Sequence, residues 1–120
     1  MITIQPETQG KVLVAKASNK LTAEDYETIL IPKLQELMAE YEKIRLVIEI
    51  DPSFEGWEPS ALWDGASFGL GHRKHLERVA IVGAPSWLKT ASNFMSHFLP
   101  AELKHYDASA LQEALAWVRE

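Results

Sequence analysis

Two runs, Arg45-Leu-Val-Ile-Glu-Ile50 and Leu76-Glu-Arg-Val-Ala-Ile-Val82, constrain this chain more than any other feature. Both are nearly continuous in apolar character and the first is rich in β-branched residues. That pattern suits a central strand covered on both faces. Between them, Pro59 to about Lys74 reads as a helix. Strand, helix, strand in that order implies a right-handed crossover and parallel pairing.

The rest of the chain extends the same theme. Ile2 and Ile4 alternate with polar neighbours, Pro6 to Gly10 supplies a turn, and Val12 to Ala17 forms a second extended run, so the start reads as a hairpin. Ser18-Asn19-Lys20 is a loop. Thr22 caps a helix, with Glu24 and Asp25 in its first turn. Tyr26, Leu30, Leu34, Leu37 and Tyr41 form its buried stripe, and Pro32 predicts a kink near Thr28 to Ile31. Ser86 caps a third helix, with Trp87, Ala91, Phe94 and Phe98 on one stripe and Leu88, Met95 and Leu99 on the next; Pro100 stops it. Leu103 to Tyr106 predicts a short edge strand. Asp107 or Ser109 caps a last helix whose stripe is Leu111, Ala114, Leu115 and Val118, flanked by Trp117. The order β-β-α-β-α-β-α-β-α predicts one α/β domain over residues 1–120. Its sheet is mostly parallel, with an antiparallel N-terminal edge hairpin and flanking helices.

Functional chemistry gathers between Asp51 and His72, where two tryptophans, two phenylalanines and four glycines fall together. Leu62, Ala66 and Leu70 share a stripe expected to pack on the sheet, Trp63 lies beside it, and Phe68 projects about 100° from Ala66. Apolar bulk therefore surrounds much of a helix that Gly65 and Gly69 each weaken by ~1 kcal/mol relative to alanine. That misfit predicts a movable cover over a pocket for an apolar small molecule or lipid. Phe54, Trp57, Trp63, Phe68 and Leu70 would supply its apolar surface, with Asp51, His72, Arg73 and Lys74 as a polar and basic rim. The alternative is a helix buried on two sides, as in a homodimer.

Several classes fall away. A net charge of −5 disfavours nucleic acid, whose phosphates need a basic face. With no cysteine, disulfides, thiolate metal sites and cysteine nucleophiles are absent. His72 and His75 could share a helix face, but no third ligand at a recognisable spacing accompanies them, so no metal or cofactor is expected. Asp51, Glu55 and Glu58 could line a site with Trp57 at the carboxyl end of a strand. Asp51 before Pro52 reads rather as a residue that satisfies turn amides. The Gly83-Ala-Pro-Ser-Trp loop has no phosphate-loop pattern, and neither a dinucleotide fingerprint nor a nucleophile elbow occurs. No enzyme signature emerges. His72, Arg73, Lys74 and His75, with Arg78 close by, suit a helix C-terminus and could also meet anionic headgroups. No apolar stretch approaches the ~20 residues needed to span a bilayer, and the start is not a signal peptide. The expected location is the cytoplasm, with peripheral contact at the inner membrane face.

The element order, together with Lys20-Leu-Thr-Ala-Glu-Asp-Tyr26, Asp51…Gly56-Trp57-Glu58…Ala61-Leu62-Trp63-Asp64 and Leu76-Glu-Arg-Val-Ala-Ile-Val-Gly83, resembles the SpoIIAA-like proteins. These are small, mostly bacterial, STAS-related domains. The resemblance implies the STAS fold, which also looks like that of CRAL-TRIO lipid-binding domains. It further implies that the helix after the third strand can swing open to expose an apolar pocket or associate with membrane. STAS anti-sigma-factor antagonists carry a phosphorylatable serine at the start of that helix, in an Asp-Ser-Ser-Gly type motif. Here the region reads Ser53-Phe54-Glu55-Gly56-Trp57-Glu58-Pro59-Ser60. The motif is missing although Ser53 and Ser60 lie nearby, which argues against a phospho-switch.

Overall fold

Strand β4 (Ile44–Ile50) runs through the middle of a five-stranded sheet. It pairs in parallel with β2 (Val12–Ala17) on one side and with β6 (Leu76–Val82) on the other. Beyond β2 lies β1 (Ile2–Ile4), antiparallel, and beyond β6 lies β7 (Glu102–Tyr106), parallel, giving the order β1-β2-β4-β6-β7. The computed structural model describes residues 1–96 and 101–120, apart from the side chains at positions 66, 69, 70, 73, 92 and 94–96.

Pleating sends alternate residues to opposite faces. Val12, Val14, Val47, Ala80 and Val82 meet helix α5 (Leu111–Arg119) through Ala114, Leu115, Trp117 and Val118. Trp117 also carries the Arg78 guanidinium 5.1 Å and the Lys104 ammonium 4.9 Å from its ring. Leu13, Ala15, Leu46, Ile50, Val79 and Ile81 point the other way, into a second cluster with Leu30, Leu34, Leu37 and Leu88. That face is covered by the helices that follow β2, β4 and β6.

The first of these begins as α1 (Ala23–Asp25), widens into a π-helical stretch (Tyr26–Leu30) and continues as α2 (Ile31–Glu40). Thr22 caps it as expected, in a reciprocal box: its hydroxyl accepts the Asp25 amide at 3.1 Å and its own amide donates to Asp25 at 2.9 Å. Pro32, at the start of α2, cannot donate a backbone bond, and the disturbance takes the form of the wide π turn just before it.

Three local features differ from expectation. Lys20 is not wholly loop: β3 (Lys20–Leu21) pairs in parallel with β5 (Gly56–Trp57), a two-residue ladder whose brevity leaves no periodic signal. Neither Asp107 nor Ser109 caps α5. The Ala110 amide closes a turn onto the Asp107 carbonyl at 2.9 Å, so both residues fall ahead of the cap position, which Ala110 takes. On α3 (Pro59–Gly71) Ala61, outside the expected stripe, is fully buried, while Leu62, within it, is 57% exposed; the side chains of Ala66 and Leu70 lie outside the described residues. A 3₁₀ turn (Arg73–His75) leads from α3 into β6. Gly83, at φ 80°, then turns the chain towards α4 (Ser86–Ser96); a Cβ there would stand 3.0 Å from the Ile50 carbonyl oxygen. The expected contributions of Phe94, Met95, Phe98, Leu99 and Pro100 to α4 lie outside the described residues. Among the described residues no helix is long and apolar enough to cross a membrane.

Candidate functional site

Helix α3 does not rest flat on the sheet. Beneath it lies a half-open cavity of about 470 Å³, within the usual range for small-molecule sites. Its floor is sheet: Leu46 and Ile48 from β4 and Ile81 from β6, with Ile44 and Leu76 at the strand starts. One wall is the π-helical stretch and α2, through Leu30, Leu34 and Met38; Leu88 and Ala91 of α4 form another. Leu62, Gly65, Phe68 and His72 of α3 make the roof.

Gly65 explains why the helix sits as it does. A Cβ at this position would approach two ring carbons and the hydroxyl oxygen of Tyr26 at 3.2 Å, so glycine admits the phenol against the helix backbone. The phenol oxygen accepts a hydrogen bond from the Trp57 indole at 2.8 Å, tying the helix preceding α2 to β5. Trp57 in turn packs edge-on against Phe54, with centroids 5.2 Å apart, and against Trp87 at 6.0 Å, while Phe54 and Trp87 stack at 6.0 Å. At the far end of α3, His72 stacks on Phe68 at 4.2 Å, and its Nδ1 lies 3.0 Å from the Phe68 carbonyl oxygen. A carbonyl only accepts, so Nδ1 carries the proton.

The nine residues expected to form the site are thus scattered. Trp57, Phe68 and His72 line the cavity. Phe54 stands behind Trp57 in the aromatic cluster rather than in the wall. Trp63 points away from the cavity and is 73% exposed, because the inward face of α3 centres on Ala61 and Gly65. The side chains of Leu70 and Arg73 lie outside the described residues. Lys74 is exposed, and its carbonyl accepts from the Lys43 ammonium at 2.6 Å. Asp51 belongs elsewhere, at a smaller hollow of about 170 Å³ with Lys16 and Glu49. Its carboxylate accepts from the Ser53 hydroxyl at 2.6 Å and the Ser53 amide at 3.0 Å, and Lys16 stands 3.4 Å away. The Ser53 hydroxyl and amide, with Lys16, hold this carboxyl below its usual range.

Some site residues were not singled out. Tyr26, Leu30 and Leu34 belong to the expected helical stripe, but a core stripe and a cavity wall have the same apolar pattern. Nor does sequence reveal that Asp64 of α3 faces Glu27 of the π-helical stretch. Asp64 Oδ2 is buried with no hydrogen-bond partner among the described residues, and Asp64 is the side chain that most affects the Glu27 carboxyl. The hydrogen bond with Asp64, and then the like charge, raise the Glu27 carboxyl above its ordinary value. Among the described residues no group of three or more histidines, carboxylates or thiols is placed to hold a metal ion.

The arrangement is suited to enclosing an apolar body, with a small number of polar groups at the Tyr26 and His72 ends. The family model described as SpoIIAA-like matches residues 12–119 of the chain. Among solved structures, the crystal structure of an uncharacterised protein of the DUF3478 family with a SpoIIAA-like fold, from Shewanella loihica, is similar. It has a TM-score of 0.80 and 32% sequence identity, over 98% of this chain and 93% of that one. No curated protein matches.

Proposed function

This chain belongs to the SpoIIAA-like family, and from that premise we propose that it is a non-enzymatic STAS-like domain that binds an apolar small molecule or lipid beneath α3. The observation that carries the reading is the cavity itself: about 470 Å³, walled almost wholly by apolar side chains and roofed by one helix. An apolar ligand of that size gains roughly 25 cal/mol for each Å² it removes from water. Trp57, Phe68 and Leu70 are the proposed apolar contacts, with Phe54 supporting Trp57 from behind, and His72 and Arg73 at the rim. Helix α3 is the proposed cover. Its N-terminal residue Glu58 supplies no side-chain cap, and three glycines fall within or at the end of it, features of an element with low local stability.

Solvent extraction of the purified protein followed by mass spectrometry tests the reading. So does tryptophan emission during titration with medium-chain lipids and with anionic vesicles. An apolar molecule in the extract, or a blue shift of emission, supports it. No bound molecule and no spectral change in either titration would sink it. A response to vesicles alone would place the chain as a peripheral protein at the inner face of the membrane, with Trp63 and Lys74 as its contacts.

A second reading takes the same helix as a protein-interaction surface, with a homodimer as the resting state. It is favoured by the exposure of Leu62 and Trp63 side by side on α3, an unusual placement for large apolar groups. Trp63→Ala would then lower the sedimentation mass while leaving the circular dichroism spectrum intact. A mass equal to one chain at every concentration counts against it.

A further inference from the structure

Most of the cavity wall can only exclude water, but Tyr26 can do more. Its oxygen accepts the Trp57 indole N–H, which leaves the phenol's own hydrogen to be placed, and among the described residues nothing receives it. The group lines the cavity and is fixed there by Trp57 on one side and the backbone of Gly65 on the other. Burial, with the charge of Asp25 and against the Trp57 bond, pushes the phenol above its ordinary 10.0, so it remains a donor throughout the physiological range. A donor that meets no protein acceptor is free to bond a group that enters the half-open cavity. Its complement is an acceptor oxygen on whatever fills the cavity.

The surroundings decide which kind of oxygen. The one charge that bears on the phenol is negative, that of Asp25. Glu27 adjoins Tyr26 in the chain and Asp64 adjoins Gly65, so further carboxyls flank the spot. The amino terminus, 3.3 Å from Asp25, is already engaged with that carboxylate. An ionised headgroup brought here would lose its hydration and gain no countercharge. A neutral carbonyl oxygen avoids that loss and accepts the free hydrogen.

We infer that the cavity selects a neutral, carbonyl-bearing apolar molecule, an ester, ketone or aldehyde on an alkyl chain, whose oxygen accepts the Tyr26 O–H. This inference rests on the apolar-ligand reading above and sharpens it. The carbonyl lies at the Tyr26 end, and the chain runs under α3 towards His72. Gly65 and His72 are seven positions apart, about 10 Å along the helix axis.

The test is isothermal titration of the full chain with methyl decanoate, decane and decanoate. The wild type should bind the ester most tightly. Tyr26→Phe keeps the ring but removes the hydrogen, and should weaken the ester by roughly three- to tenfold while leaving decane unchanged. The carbonyl stretch of the bound ester should fall in the wild type and recover in Tyr26→Phe. Equal binding of ester and decane, tightest binding of decanoate, or an unshifted carbonyl band in the wild type would overturn the inference while leaving an apolar cavity. Failure of all three probes to bind would overturn the apolar-ligand reading, and this one with it.

Discussion

Asp64 of α3 and Glu27 of the π-helical stretch bring two carboxyls close to one another across the seam between the roof of the cavity and its wall. Two acids in this position are held together by a shared proton and driven apart when both ionise. The hydrogen bond with Asp64 and its like charge raise Glu27 above its ordinary 4.5, so the closed seam binds that proton more tightly than the open one. By linkage, the seam is firmest below about 4.5 and loosens as pH climbs through the raised value. Amide exchange in α3, corrected for intrinsic rates, should quicken as pH rises above 4.5 through the raised value. Asp64→Asn should flatten this profile and slow exchange at neutral pH. The hydrogen bonds that lower Asp25, Asp51 and Glu77 place their losses at more acid values, outside that window.

Gly65 is the contact point between α3 and Tyr26. Gly65→Val should wedge the helix away from the ring at about 1–3 kcal/mol, the usual cost of overpacking. Red-shifted tryptophan emission and faster exchange in α3, with the far-ultraviolet dichroism unchanged, would confirm it. An unaltered α3 would show that the ring yields instead.

The two faces of the sheet should respond differently to truncation. Leu115 is almost completely buried against Val47 and Ala80, and Leu115→Ala should cost about 2–5 kcal/mol in urea unfolding. Met38 borders the existing cavity, so Met38→Ala removes atoms that already lack partners on one side. Its cost should stay below about 1.5 kcal/mol. Equal losses at the two positions would mean the cavity is filled in solution.

Arg45, 8% exposed, donates to Glu77 at 2.6 Å and to the Val118 carbonyl at 2.7 Å, tying β4 to β6 and to the end of α5. Arg45→Ala should destabilise by about 2–3 kcal/mol, since a buried carbonyl and a carboxylate lose a charged donor together. Glu77 is much more exposed than Arg45, so Glu77→Gln should cost under about 1 kcal/mol. Glu77 is held below its ordinary value chiefly by its hydrogen bond from Arg45, so its stabilising contribution is lost only as pH falls through that lowered value.

The scaffold was legible where burial on two faces leaves a continuous trace, as in Ile44–Ile50 and Leu76–Val82. So was the cap at Thr22, whose chemistry is local. The orientation of α3 was not, because a count of apolar residues passes over Gly65, the residue that sets the contact by having no side chain. Trp63 was drawn into the expected site by its bulk, yet the helix turns it to solvent. Pairings such as Trp57 with Tyr26, and Asp64 with Glu27, join segments far apart in the chain. They exist only once the crossover has laid α3 over the helix before it.

The two-residue ladder between β3 and β5 pins one end of α3 and leaves the other to the 3₁₀ turn at Arg73–His75. A rigid rod of 13 residues, about 20 Å long, fixed at one end turns as a lever. Its stroke is small at Ala61 and greatest near His72. If α3 moves as one body, a spin label at Ser60 will barely change its distance to a label on β2 when ligand is added, while one at Ser67, further along the helix, will change it by more. On such a pivot, under the proposed apolar-ligand reading, the groups near the fulcrum, Tyr26 and Trp57, would govern which molecule is held. Those near the tip, Phe68 and His72, would govern how fast it is exchanged.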